Sequence, residues 1–262
     1  MTATLEEAAF GARPGLVVSA VPEEPRGRWL AAVVLGAQGW YARAATLLTP
    51  LTQRPDDLGA LAAATLASHR RQLGGHAAAR PLDARALVRS TSDEARADAL
   101  LGLAADAIGA GRLDEARRAR DRAPRTTWRA RVRTGWVSAE IELSAGRADL
   151  ARPHAERALA ESTGTRHRLK SEIVLGAALR DADPAMARKL VTRARDEATD
   201  LHLLSLVWPA SLLLAEADPD EALTHRRCAA IALHSVLRRA EPRGRALAER
   251  SPWVPTVTGP TG

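Results

Sequence analysis

Phenylalanine and tyrosine occur once each in this chain, at Phe10 and Tyr41, and aromatic residues together make up only 3% of it. Sheets draw on aromatic and β-branched side chains, so this scarcity argues against a β-sandwich or barrel. Lysine is nearly absent: Lys170 and Lys189 follow Leu169 and Arg188, which excludes the Gly-Lys-Ser/Thr of a phosphate-cradling P-loop. The single cysteine, Cys228, excludes an internal disulfide and a cysteine-rich zinc site. No G-x-S-x-G elbow and no H-E-x-x-H pair occurs, and no carboxylates are spaced for acid–base work. The seven histidines are scattered; His225 and His234 share an expected helix but sit nine apart, off any ligand spacing. The most apolar run, LHLLSLVWPASLLLA at 201–215, is too short to span a bilayer and contains His202 and Pro209. Glu6 and Glu7 stand where a signal peptide would be basic. These absences lead us to expect a cytoplasmic, non-enzymatic protein with no metal, no cofactor and no membrane span.

What is present is alanine and arginine. Apolar residues make up 46% of 262 residues, ample for a sizeable core. Alanine, the best helix former, dominates them and lets helices approach closely, so the expected fold class is all-α. The net charge of +7 is carried almost wholly by arginine. It reflects either an arginine- and alanine-heavy composition or a preference for acidic partners or nucleic acid.

The stretch GAGRLDEARRAR at 109–120 has relatives along the chain: SAGRADLARPHA, GAQGWYARAATL and AEADPDEALTHR. Aligned on the alanine after the small turn, the copies fall at Ala44, Ala79, Ala116, Ala151, Ala187 and Ala222, in steps of 35, 37, 35, 36 and 35 residues. Five residues earlier stand Gly39, Gly74, Gly111, Gly146, Ala182 and Ala217. Seven later stand Leu51, Ala86, Ala123, Ala158, Ala194 and Ala229, and twelve earlier Ala32, Ala67, Ala104, Ala139, Leu175 and Ala210. Such a period marks helix–turn–helix repeats. Alanine at the crossing lets the two backbones of a unit approach, where a larger side chain would wedge them apart. In the last two copies Asp183-Pro184 and Asp218-Pro219 replace the glycine turn with an N-cap aspartate before a proline, and Glu221 completes an expected capping box.

These columns resemble the tetratricopeptide repeat family, with Leu35-Gly36 and Tyr41 as remnants of its opening and aromatic positions. The other aromatic columns and the closing proline of the family are mostly missing. The resemblance implies a right-handed α-solenoid of about six repeats over residues 27–240. It also implies a concave groove that binds a protein or peptide segment. Columns that the family turns inward hold Trp29 and Trp136, both fifteen residues before the reference alanine, and Arg26, Arg71, Arg133, Arg180 and Glu140. The tryptophans are read either as core fillers or as apolar anchors; the arginines would contact the carboxylates of an acidic segment.

The alternative function is a regulatory or nucleic-acid-associated helical-repeat protein. It rests on the run Arg112, Arg117, Arg118, Arg120, Arg122, Arg125, Arg129, Arg131 and Arg133, set against Asp114, Glu115 and Asp121. Pro81, Pro153 and Pro209 fall inside expected helices and call for bends or late starts. Residues 1–26 are expected to hold one short helix, with Thr4 as N-cap and Gly11 as stop, followed by a Pro/Gly-rich lead. Residues 241–262 read as a disordered tail whose Trp253 either packs on the last repeat or serves as a short motif. Cys228 reads as a small buried residue.

Overall fold

The computed structural model describes residues 2–252, 254 and 255, with side chains from residue 4 on. Fourteen α-helices and no strand are found among them. No helix among the described residues is long and apolar enough to cross a membrane.

Helix α1 spans Thr2–Phe10, two residues earlier than the expected cap, and stops at Gly11. Twelve helices then run between residues 25 and 238: α2 Pro25–Ala37, α3 Tyr41–Leu51, α4 Asp57–Gln72, α5 His76–Arg89, α6 Asp93–Gly109, α7 Leu113–Asp121, α8 Trp128–Ser144, α9 Ala148–Ala160, α10 Thr165–Leu179, α11 Pro184–Asp200, α12 Leu204–Ala217 and α13 Ala222–Arg238. Helix α14, Pro242–Glu249, corrects the first part of the reading of 241–262 as a disordered tail, and residues 256–262 lie outside the described residues. Proline at its first helical position costs no hydrogen bond, so Pro242 starts this helix rather than preventing one. Trp253 lies outside the described residues.

The glycine turns work as the repeat requires. Gly39, Gly74, Gly111 and Gly146 have φ of 80°, 73°, 71° and 73°. Each ends a helix by one scheme, in which the glycine and the following N–H return to the carbonyls three and five residues back. Gly111 N donates to Ile108 O at 2.9 Å and Arg112 N to Ala107 O at 2.8 Å. This left-handed cap satisfies carbonyls that the helix leaves open. His202, at φ 56°, closes α11 in the same way. Asp183 caps α11 by accepting from Met186 N at 3.0 Å. Asp218-Pro219 does not repeat this: α13 begins at Ala222, with Glu221 at the cap position and no side-chain cap bond.

Helices α5, α9 and α12 run through Pro81, Pro153 and Pro209, which excludes late starts. Each proline is the sixth residue of its helix, so it forfeits one intrahelical bond near an end already poor in them.

The alanine columns are the contact surfaces. Ala44, Ala79, Ala116, Ala151 and Ala187 are buried, and Ala222 is half-buried at the start of α13. Every member of the columns at twelve before and seven after is buried. Each even-numbered helix from α2 to α12 packs on the helix that follows it. The even-numbered helices also pack on one another in sequence, and α12 returns to α2. They form a closed circuit with the odd-numbered helices outside. Ser205 Oγ closes the seam by donating to Ala37 O at 2.8 Å, and Ala42 N donates to Arg239 O at 2.8 Å. The edge left open in an extended groove is thus occupied. Helix α14 folds back over the α4–α5 turn, so Leu73, Tyr41, Leu233, Val236, Ala248 and Val254 share one cluster.

Candidate functional site

The inner helices are tied to their neighbours by side chains one repeat apart. Trp29 Nε1 donates to Thr65 Oγ1 at 2.9 Å, and Trp136 Nε1 to Ser171 Oγ at 2.8 Å. Arg129 reaches Glu94 at 2.5 Å, Arg133 pairs with Asp98, and Arg71 Nε reaches Asp106 at 2.9 Å. A ring at one repeat position therefore meets its partner at the equivalent height on the next inner helix.

This ladder places the expected groove residues. Trp29 is 1% exposed and Trp136 8%, and both have their indole N–H satisfied. Trp136 stacks on His167 with centroids 5.4 Å apart, and Lys170 Nζ stands 4.6 Å over its ring. The charges are spent inside the molecule. Arg71 joins Asp83 and Asp106, Arg133 joins Asp98, Arg180 reaches Asp181 and Glu216 at 3.0 Å each, and Glu140 reaches Lys170 at 3.3 Å. Arg26 is half-exposed and holds Glu6 at 3.1 Å.

Only Trp29 and Arg26 of that set meet the N-terminal segment, which lies across the end of the circuit where α8 and α10 begin. Leu5, Ala8 and Ala9 are buried against α2 in the largest apolar cluster. Phe10 sits 5.6 Å from the Trp29 ring and 6.4 Å from His167, and the Arg129 guanidinium lies 3.9 Å over its face. Such a cation over an aromatic face is attractive, the more so when shielded from water. Thr165 N donates to Gly11 O at 3.1 Å, so the end of α1 caps the start of α10. A methyl group at Gly164 would stand 2.0 Å from Phe10 O, which fixes glycine there.

Beyond α1 the chain runs extended, with Leu16 and Val18 turned inward and Val17 76% exposed. Its carbonyls are held by side chains of the first helix pair. Gln38 Nε2 donates to Pro14 O at 3.2 Å and Leu16 O at 2.9 Å, Arg43 to Val18 O at 3.2 Å and Arg28 to Pro22 O at 2.9 Å. The sequence carried one signal for this seat, a lone phenylalanine just after two glutamates. Nothing local marked Gln38, Arg28, Arg43, Arg129 or His167.

Charge and burial compete beside the seat. Arg166, on the first turn of α10, has no ion pair or hydrogen bond among the described residues. Its pKa falls to about 10, first through burial and then through Arg129 and Arg133. His167 is pushed well below its ordinary value by burial and by these same arginines, so it is neutral at pH 7. Burial likewise takes His69 down to about 3 and raises the Tyr41 phenol, which donates to Gln72 at 2.9 Å. No family model matches the chain, and neither the curated proteins nor the solved structures provide a match.

Elsewhere, Arg71 bridges Asp83 and Asp106, which are both buried, and Asp83 Oδ1 and Asp106 Oδ2 have no hydrogen-bond partner among the described residues. Burial raises Asp83 to about 8, against the pull of Arg71. The arginine-rich stretch is largely neutralised: Arg112, Arg117, Arg120, Arg129, Arg131 and Arg133 have acidic partners, while Arg118, Arg122 and Arg125 have none among the described residues. Cys228 is half-buried rather than buried. No group of three His, Cys, Asp or Glu residues that could hold a metal ion is found among the described residues.

Proposed function

We propose that this chain is a non-enzymatic interaction scaffold that holds a segment of another protein in the cytoplasm. Its architecture, on this reading, is a right-handed α-solenoid of about six tetratricopeptide-like repeats, drawn round until its last inner helix meets its first. The observation that carries the reading is the capture of polypeptide backbone. Gln38, Arg28 and Arg43 donate to four carbonyls of an extended segment, and helix α1 lies against Trp29 with Glu6 on Arg26. Side-chain donors that read carbonyls bind a chain largely irrespective of its sequence, while flanking apolar pockets and charges select it. Trp136, Arg71, Arg133, Arg180 and Glu140 take a supporting part, because their polar groups already have internal partners.

Affinity capture with the full chain, followed by mass spectrometry, tests the reading. A protein partner whose capture falls in Arg43→Ala and Gln38→Ala supports it. The alternative, nucleic-acid association, is favoured by the net charge of +7 and by Arg118, Arg122 and Arg125, which have no ion pair among the described residues. A gel shift with random DNA and RNA that weakens steeply with salt and is lost in an Arg118/Arg122/Arg125 triple glutamate variant would replace the scaffold reading.

A further inference from the structure

The seat of α1 extends the scaffold reading and rests on it. We propose that the end of the helical circuit where α8 and α10 begin is a docking site for an acidic amphipathic helix of a partner protein, closed by an aromatic residue. Residues 2–22 hold this site in cis, and such a helix displaces them.

The internal occupant defines the chemistry. In TATLEEAAF the inward face is Leu5, Ala8 and Ala9, and Phe10 is the terminal anchor between Trp29 and His167 beneath Arg129. Glu6 adds the one acidic contact across to the seat, on Arg26. Glu7 turns back on its own segment, where Oε1 accepts from Ala12 N at 2.7 Å. The seat offers more positive charge than this helix uses. Arg166, next to His167 on the first turn of α10, has no ion pair among the described residues, and its charge interacts with Arg129, which lies over Phe10, and with Arg133 and Asp98. A helix with one more carboxylate on its inner flank would engage Arg166 and gain over the resident segment by a charge-assisted bond.

The resident segment is also built to leave. Its extended part is fastened mostly through its own carbonyls, and the join to α2 at 19–21, 23 and 24 is exposed. Its departure breaks none of the helix pairs from α2 to α13, so it can leave as a unit without unfolding them.

The test uses a fluorescent synthetic peptide of residues 2–22 and full-length chains. In the wild type the tethered segment competes at an effective concentration of order mM, so the free peptide binds weakly. Phe10→Asp in the full chain unseats α1, and the peptide is expected to bind this variant at least about tenfold more tightly than the wild type. A peptide carrying Phe10→Ser should lose that binding, and one carrying Ala12→Glu, at an exposed position, should gain affinity that Arg166→Gln removes. Should Phe10→Asp fail to fold, a protease site placed at 19–21 keeps the test open: after cleavage, labelled peptide is expected to exchange for the resident fragment on size-exclusion chromatography. A folded Phe10→Asp chain that binds no more tightly, or a cleaved chain whose fragment never exchanges, overturns the proposal. So does a Phe10-dependent dimer, which would make a second copy the occupant. Absence of any captured partner while the peptide binds strikes the scaffold reading alone.

Discussion

Trp136 donates its indole N–H to Ser171 Oγ at 2.8 Å, thirty-five residues further along the chain. The bond joins α8 to α10 inside the circuit, and the ring is buried between His167 and the ammonium of Lys170. Truncation must therefore act on stability. Trp136→Ala is expected to cost about 3–5 kcal/mol. Trp136→Phe should cost less, since it keeps most of the ring and loses the hydrogen bond. Urea melts of the two variants check the order; a Trp136→Ala chain with an unchanged midpoint would mean that the ring is not core.

Ala116 and Ala151 are 0% exposed at the helix crossings. Replacing either by leucine forces extra volume between close-packed backbones, with an expected cost of roughly 1–3 kcal/mol. Arg118, exposed two residues beyond Ala116 and without an ion pair among the described residues, should tolerate alanine within about 0.5 kcal/mol. Equal midpoints for the three variants would show the repeat columns to be misplaced.

The four left-handed glycines separate conformational strain from crowding. A Cβ at Gly111 or Gly146 meets nothing within 4 Å, so alanine there should cost only the strain of positive φ, about 1–2 kcal/mol. At Gly74 the same Cβ would lie 1.9 Å from Ser251 Oγ, and at Gly39 2.8 Å from Val236 Cγ2. Gly74→Ala and Gly39→Ala should therefore destabilise more, and Gly74→Ala should also loosen α14, which limited proteolysis after residue 240 would detect.

Stability should fall as pH rises from about 6.5 to 8. Asp83 keeps its proton in the folded chain up to about 8, whereas an unfolded aspartate loses it near 3.8. The unfolded state then binds fewer protons across this interval, so unfolding becomes easier with rising pH. Below about 6.5 the sign reverses, because buried His69 and His167 stay neutral when folded and take up protons when unfolded. Thermal melts across pH 5–8.5 should trace a dome, and Asp83→Asn should flatten its alkaline side and steepen its acid side.

Local chemistry made most of the helical framework legible in the sequence. The glycine at each of the first four turns marks a left-handed cap, and alanine at fixed distances marks the crossings; both act within one repeat and need no knowledge of the rest. The inward column was legible too, but not which way its side chains would be satisfied. Trp29 and Trp136 share a position that suits a groove or a core, and only the hydroxyls of Thr65 and Ser171 on the next inner helix decide for the core. The charges on Arg71, Arg133 and Arg180 read as free for a ligand, because their acidic partners mostly lie on neighbouring helices tens of residues away.

What the sequence by itself determined is the all-α class, the phase of the small-residue columns and the glycine turns, since each follows from backbone geometry and side-chain volume over a few residues. Only the tertiary structure decided that the circuit closes, that α14 folds back on the α4–α5 turn, and that α1 takes the seat beside Trp29. Those outcomes depend on pairs such as Ser205 with Ala37, 168 residues apart, and Phe10 with His167. No periodicity encodes such pairs. They form because small curvatures at successive alanine crossings add up until the first and last helices meet, and apolar surface left at the open end is buried by whichever segment of chain can reach it.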